Sequence, residues 1–210
     1  SRKIQSCKKA IQADGMAFFY CFYVWQKRYL VMPLPNDQSQ GLVLLFTGNG
    51  KGKTTAALGM AFRALGHGQR VCVIQFIKGS WKYGELVSAR QFAGQLDVHV
   101  MGRGFTWQSD DLDKDRAAAR EAWEFAVQTV ESGAYKLVIL DELTYLPYYQ
   151  ILDEAEIIDL LRRRPSSLNL VITGRHASPA LIEASDLVTE MREIKHPYAN
   201  GTKARKGIEF

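Results

Sequence analysis

The hydrophobic pattern alternates between two kinds of segment. Residues 42–47, 71–77, 137–140 and 168–173 are apolar at nearly every position, with short lengths and β-branched side chains. Runs of that kind read as strands buried on both faces. Residues 96–101 and 187–191 give two further strands, the first with partial alternation. Between them lie stretches with helical spacing. Residues 54–65 form a helix that stops at Gly66, where a left-handed cap is expected. Residues 83–93 form a second helix. Ser109 or Asp110 caps a long third helix whose Ala119, Ala122, Trp123, Ala126 and Val130 share one face. Asp153 caps a helix that ends in Arg162, Arg163 and Arg164, cations suited to the negative end of its dipole, before Pro165 stops it. Ser178, followed by Pro179, starts a short one. Strands of this type alternating with amphipathic helices predict an α/β domain with a mainly parallel sheet and helices on both faces.

The first part of the chain does not share this rhythm. Residues 1–31 carry six lysines and arginines against Asp14 alone, and the rest of the chain is balanced in charge. The formal net charge of +5 therefore sits on one segment. It gives no basic face to the folded domain of the kind a nucleic-acid binder uses to neutralise phosphates. Residues 16–25 are apolar and aromatic, but their span is about half of what a bilayer requires. They are followed by Gln26, Lys27 and Arg28 rather than a small-residue cleavage site. The expected organisation is an N-terminal extension and linker over 1–40 and one domain over 41–210. Residues 1–31 are then an upstream extension, non-native or flexible, ahead of a natural start near Met32, or else an amphipathic helix packed on the domain.

At 210 residues with 47% hydrophobic and 23% charged positions, the chain falls in the soluble globular class. Cys7, Cys21 and Cys72 are an odd set without metal or redox spacing, which predicts a reducing, cytoplasmic compartment. His67, His99, His176 and His196 are scattered without the spacing of a metal centre.

Candidate chemistry gathers after the first strand. Residues 47–54 read Thr-Gly-Asn-Gly-Lys-Gly-Lys-Thr between a buried strand and a helix start, the context of a phosphate-binding loop. Glycines let successive amides converge on phosphate oxygens, and the helix N-terminus adds partial positive charge. Gly48, Asn49, Gly50, Lys51, Gly52, Lys53, Thr54 and Thr55 are the expected nucleotide contacts. Lys53 bridges the outer phosphates and Thr54 ligates Mg²⁺. The strict G-x-x-x-x-G-K-[ST] pattern fails at its first position, occupied by Thr47. The strand over 137–140 delivers Asp141 and Glu142 at its C-terminal end, where ligands of open α/β sheets bind. Glu142 is the favoured metal-holding carboxylate, with Asp141 in support. These residues alone leave two classes open: an ATPase in which Glu142 polarises water, and an enzyme for which ATP is a group donor.

Further segments, in order, are Gln75-Phe76-Ile77-Lys78-Gly79, Gly104-Phe105-Thr106-Trp107, Asp141-Glu142-Leu143-Thr144-Tyr145, Ile172-Thr173-Gly174-Arg175, Lys195-His196 and Gly207-Ile208-Glu209. Together with the phosphate loop they resemble the P-loop-type corrinoid adenosyltransferases over roughly residues 41–210. The departure at Thr47 is shared by that family, whereas residues 1–31 do not resemble it. The resemblance implies a P-loop NTPase-like fold and a cytoplasmic homodimer that moves the 5′-deoxyadenosyl group of ATP to the cobalt of a reduced corrinoid. It implies no nucleic acid, no membrane, and an electron-donor protein as partner. Arg63 and Arg175 match family positions that reach the phosphates. Phe105 and Trp107 match rings that pack on the lower corrin face and displace its axial ligand, which eases reduction of Co(II).

Overall fold

The computed structural model describes residues 40–79, 83–102, 104 and 112–209. Phe105, Trp107, Ser109, Asp110 and the segment 1–39 lie outside them. The sheet has six strands: β1 Val43–Thr47, β2 Val71–Gln75, β3 Leu96–Val100, β4 Leu137–Asp141, β5 Asn169–Thr173 and β6 Leu187–Glu190. Their order is β3-β2-β4-β5-β1-β6, and every neighbouring pair is parallel. The helices are α1 Lys53–Gly66, α2 Gly84–Ala89, α3 Leu112–Glu131, α4 Tyr145–Tyr148, α5 Glu154–Arg163 and α6 Pro179–Glu183.

The unbroken apolar runs have the physical cause the pattern implied. Successive side chains of a strand point to opposite faces, and here both faces are covered. Val43, Leu45, Cys72, Ile74, Val138, Leu140, Leu170 and Ile172 pack on one side with α3 and α5. Leu44, Phe46, Val71, Val73, Leu137, Ile139 and Val171 pack on the other against Ala57, Ala61, Ala64 and Leu65 of α1. The stripe read on α3 is buried throughout, from Ala119 to Val130. Asp153 caps α5 by accepting the Ala155 amide at 3.0 Å, and Ser178 caps α6 by accepting that of Leu181 at 3.1 Å.

Three local expectations are corrected. The left-handed residue after α1 is Gly68, at φ +70°, not Gly66, because Gly68 and Gln69 still donate back to Leu65 and Ala64. The helix expected over 83–93 ends at Ala89 and tightens into a 3₁₀ turn, Arg90–Phe92, before Gly94 turns with φ +82°. β2 stops at Gln75, whose carbonyl accepts both Met101 and Gly102 and so leaves the ladder. Helix α4 carries Pro147 and was not legible in the pattern; it tolerates the proline because a first turn has no intrahelical use for that amide.

β6 is a sheet edge with all four residues exposed. Ile172→Ala, in the fully buried β5, should cost about 2–5 kcal/mol, lowering Tm by roughly 4–20 °C. Val188→Ala on the exposed edge should stay within about 0.5 kcal/mol. Thermal melts followed by circular dichroism check both, and similar losses at the two positions would contradict the buried-versus-edge assignment.

Candidate functional site

The C-terminal ends of β1, β2, β4 and β5 meet around a cavity of about 560 Å³. Its wall takes in Gly50, Lys51, Gly52, Lys53, Thr54 and Thr55 from the phosphate loop and α1, with Lys78, Glu85, Glu142, Tyr145, Arg175 and Glu209 around them. The loop is held from its far side by the end of β6. Met191 donates to Thr47 O at 2.8 Å and accepts from the Gly50 amide at 2.7 Å. Gly48 sits at φ +94°, and a Cβ there would lie 2.4 Å from Met191 O, so a side chain would force the loop off its clamp. Here the exposed edge strand acquires a purpose: it shapes the loop through main-chain hydrogen bonds, with the Met191 side chain close against Gly52.

α1 begins at Gly52 without a side-chain cap, in contrast to α5 and α6. Its first amides are the unpaired donors that a bound anion satisfies. Lys53 folds back over the loop, donating to Gly48 O at 2.7 Å and Gly50 O at 2.8 Å. Burial and then the nearby Arg175 hold its ammonium below the usual lysine range.

Asp141 is completely buried beneath the cavity. Its Oδ1 accepts from the Thr54 hydroxyl at 2.8 Å and the Thr173 hydroxyl at 2.7 Å; its Oδ2 accepts from Gln75 Nε2 at 3.3 Å and lies 3.7 Å from Lys78 Nζ. Thr173 turns its oxygen to the next residue as well, accepting from the Glu142 amide at 2.9 Å. Glu142 itself adopts φ +67°, a conformation a non-glycine residue holds only under local constraint, and it lines the cavity. The adjacent carboxylates therefore divide: Asp141 is locked to Thr54 from below, and Glu142 faces the ligand space. Burial, and then repulsion from Asp141, push the Glu142 carboxyl up to about 7. Lys78, paired with Glu85 at 2.7 Å, is driven down by burial, yet Asp141 and Glu85 outweigh this and raise it.

Gly48 and Asn49 form the first turn of the loop rather than the main cavity wall. Asn49 instead faces a smaller recess with Glu190, Arg192 and Glu193. Arg63 stands apart from the rest, exposed on the last turn of α1 and not on the cavity wall. Glu85 was not singled out by the sequence, and Lys78, Thr173, Tyr145 and Glu209 stood in the segments that carry the resemblance without an assigned role. Lys78 and Tyr145 follow β2 and β4 and Thr173 ends β5, so charged or hydroxyl side chains at strand C-termini were the available signal, whereas Glu85 lies in α2. Glu209 reaches Lys51 at 3.3 Å from the far end of the chain, which no local pattern foretells.

The family model for "ATP:corrinoid adenosyltransferase BtuR/CobO/CobP" matches residues 39–210. A corrinoid adenosyltransferase of Pseudomonas aeruginosa is 44% identical over 171 residues, covering 81% of this chain and 84% of its own length. One from Escherichia coli is 42% identical over 174 residues, covering 83% and 88%. The corrinoid adenosyltransferase CobA of Salmonella typhimurium is 40% identical over 174 residues with the same coverage.

A carboxyl raised in the folded state binds its proton more tightly there than in the unfolded chain. Between the ordinary glutamate range and about pH 7 the native state then holds the extra proton, and stability falls as pH rises. In the ligand-free protein Glu142→Gln should raise Tm at pH 8 and bring little or no gain at pH 5. A Tm difference independent of pH would contradict the raised, half-buried carboxylate.

Proposed function

The chain belongs to the ATP:corrinoid adenosyltransferase family, and on that premise we propose how its site carries the transfer of the 5′-deoxyadenosyl group of ATP to the cobalt of a reduced corrinoid. In this reaction the electron pair of Co(I) forms a bond to the 5′-carbon. The bond from that carbon to oxygen breaks, and the triphosphate leaves with the electrons as one unit. Cobalt is itself the nucleophile, so the protein need not supply one. Cys72 would be a poor candidate in any case, being buried in the core with its thiol pushed up to about 12.

The observation that carries the reading is the phosphate loop locked to a buried carboxylate through Thr54 and Asp141. What the enzyme must provide is position and stabilisation of a departing polyanion. Lys53, the uncapped amides of α1 and Arg175, which line the cavity, would meet the triphosphate. The oxygen donors suit Mg²⁺, which is commonly held by one or two carboxylates together with substrate phosphates. Thr54 and Glu142 would hold it, with Asp141 orienting Thr54 from behind. Bound there, the ion would spread the charge of the leaving group.

Phe105 and Trp107 are assigned to the lower face of the corrin, where an apolar, water-excluding surface favours a cobalt that has lost its axial ligand. Arg63 is retained as a phosphate contact on family likeness alone. The catalytic domain is 41–210, and 1–40 is an extension and linker. No helix among the described residues is long and apolar enough to cross a membrane. A cytoplasmic homodimer supplied with electrons by a partner protein, and without nucleic acid, completes the proposal.

An ATPase would split the bond between the β- and γ-phosphates with a water oriented by a residue such as Glu142, and the relatives' names give that alternative no support. With pre-reduced corrinoid, ATP and Mg²⁺ under anaerobic conditions, phosphorus NMR should show intact triphosphate accumulating in step with alkyl-cobalt absorbance. Lys53→Ala should slow this by roughly two to three orders of magnitude, the loss of a charge-assisted phosphate contact. ADP and orthophosphate appearing in step with turnover would overturn the assignment.

A further inference from the structure

The ladder between β4 and β5 ends at the pair Leu140 and Ile172, short of the residues that line the nucleotide cavity. Past that rung the two chains enter turns, one carrying Glu142 and the other Arg175, and both residues stand on the cavity wall. Glu142 at φ +67° and Gly174 at φ +145° take the backbone out of the strand conformation there. Two threonine hydroxyls take over the pairing. Thr173, at the end of β5, accepts from the Glu142 amide at 2.9 Å, and Thr144 donates to the carbonyl of Arg175. The bonds are reciprocal, since each turn supplies one hydroxyl and one backbone group, and each bond joins residues 31 apart in the chain. Thr173 also gives its proton to Asp141 and lines the cavity. Thr144 does neither. It is 1% exposed, sits just before α4, and its carbonyl accepts from the Tyr148 amide at 3.4 Å, so its own backbone is held by the helix. Gly174 passes so close that a Cβ there would collide with Thr144 Oγ1, and the clasp therefore depends on a residue without one.

What the two bonds fix is the spacing of a carboxylate and a guanidinium that would act on one ligand. On the assignment above, Glu142 would hold Mg²⁺, Arg175 would meet the triphosphate, and a metal of this kind is bound by substrate phosphates as well. A cation and an arginine that share one polyanion must keep their separation while charge moves onto the leaving group, because a small misplacement forfeits much of the stabilisation. Resting on the adenosyl-transfer assignment, we propose that Thr144 is a positioning residue whose hydroxyl locks the turn bearing Arg175 to the turn bearing Glu142, so that metal and arginine engage the triphosphate as one unit. A residue present only to fill space would not need that hydroxyl, since valine has the same shape.

The test removes the hydroxyl at constant shape, through Thr144→Val against the wild type and Thr144→Ala against Thr144→Ser. The first readout is the factor by which Mg²⁺ raises ATP affinity, from calorimetric titrations of ATP with and without the metal. As a ratio of two dissociation constants of one protein, it is not moved by a loss of folded material. Thr144→Val should lower this factor roughly five- to tenfold, the worth of one lost hydrogen bond. It should slow adenosyl transfer to pre-reduced corrinoid to a similar extent, with the KM for corrinoid unchanged. Thr144→Ser keeps the donor and should stay within about twofold of the wild type, with Thr144→Ala well below it. In Arg175→Ala protein, Thr144→Val should bring little further loss, because its effect passes through Arg175. The alanine and serine pair decides the matter should the valine variant fail to fold. A metal effect near unity in the wild type, a wild-type factor in Thr144→Val, equal factors in the serine and alanine variants, or losses that add in the double variant would each overturn the proposal. Absence of alkyl-cobalt product from the wild type with every corrinoid would instead sink the reaction assignment, and the binding factor would still decide the role of Thr144.

Discussion

A carboxylate with no contact with water is costly unless every lone pair finds a donor, and Asp141 meets that demand by drawing three separate segments together. Thr54 comes from α1, Thr173 from the end of β5, Gln75 from the end of β2 and Lys78 from the loop after it. β5 lies between β1 and β4 in the sheet, so Thr54 must reach past a whole strand to Asp141. That geometry fixes where α1 starts and so where its amides point. The cavity is largely a consequence of satisfying one buried charge.

The clamp from β6 works at the opposite side of the loop with different means. Its hydrogen bonds use backbone groups and glycines, and it follows a strand whose four residues are exposed. The loop is thus pinned by a buried ionic network on one flank and by main-chain hydrogen bonds on the other. Preorganised donors of this sort need little rearrangement when charge develops on a leaving group. The network has one loose end, since Gln75 Oε1 is buried without a partner among the described residues.

The buried strands and the α3 stripe were legible because period and apolarity are local properties. The phosphate loop, Lys53 and Thr54 were legible for the same reason, as eight consecutive residues between two recognisable elements. The acid pair was seen as a pair, but its division into a locked Asp141 and a cavity-facing Glu142 was not. That division arises from Thr173, 32 residues further on, and from a backbone twist at Glu142 that spacing does not encode. Helix α4 escaped notice because it is one turn long and contains proline. Arg63, assigned by likeness alone, lies in the last turn of a helix of 14 residues whose first turn carries the loop, so its place in the fold adds nothing to that assignment.

The charges around the cavity constrain the order in which a ligand can be accommodated. Lys53, Lys78 and Arg175 face Asp141, Glu142 and Glu85, so the fixed charges nearly cancel before any ligand arrives. Much of the cationic charge is already committed: Lys78 to Glu85 and Asp141, and Lys53 to loop carbonyls that it must leave to reach phosphate. A bare triphosphate, carrying several negative charges, would meet Glu142 across low-dielectric space where like charges repel strongly. Two remedies are available to Glu142, a proton or a divalent cation, and its carboxyl at about 7 stands between them. On the proposed assignment, a nucleotide that brings its own metal would supply the second remedy and would turn Glu142 from a repelling neighbour into a ligand. Metal and nucleotide should therefore bind as a coupled pair, each raising affinity for the other by the same factor, as linkage requires.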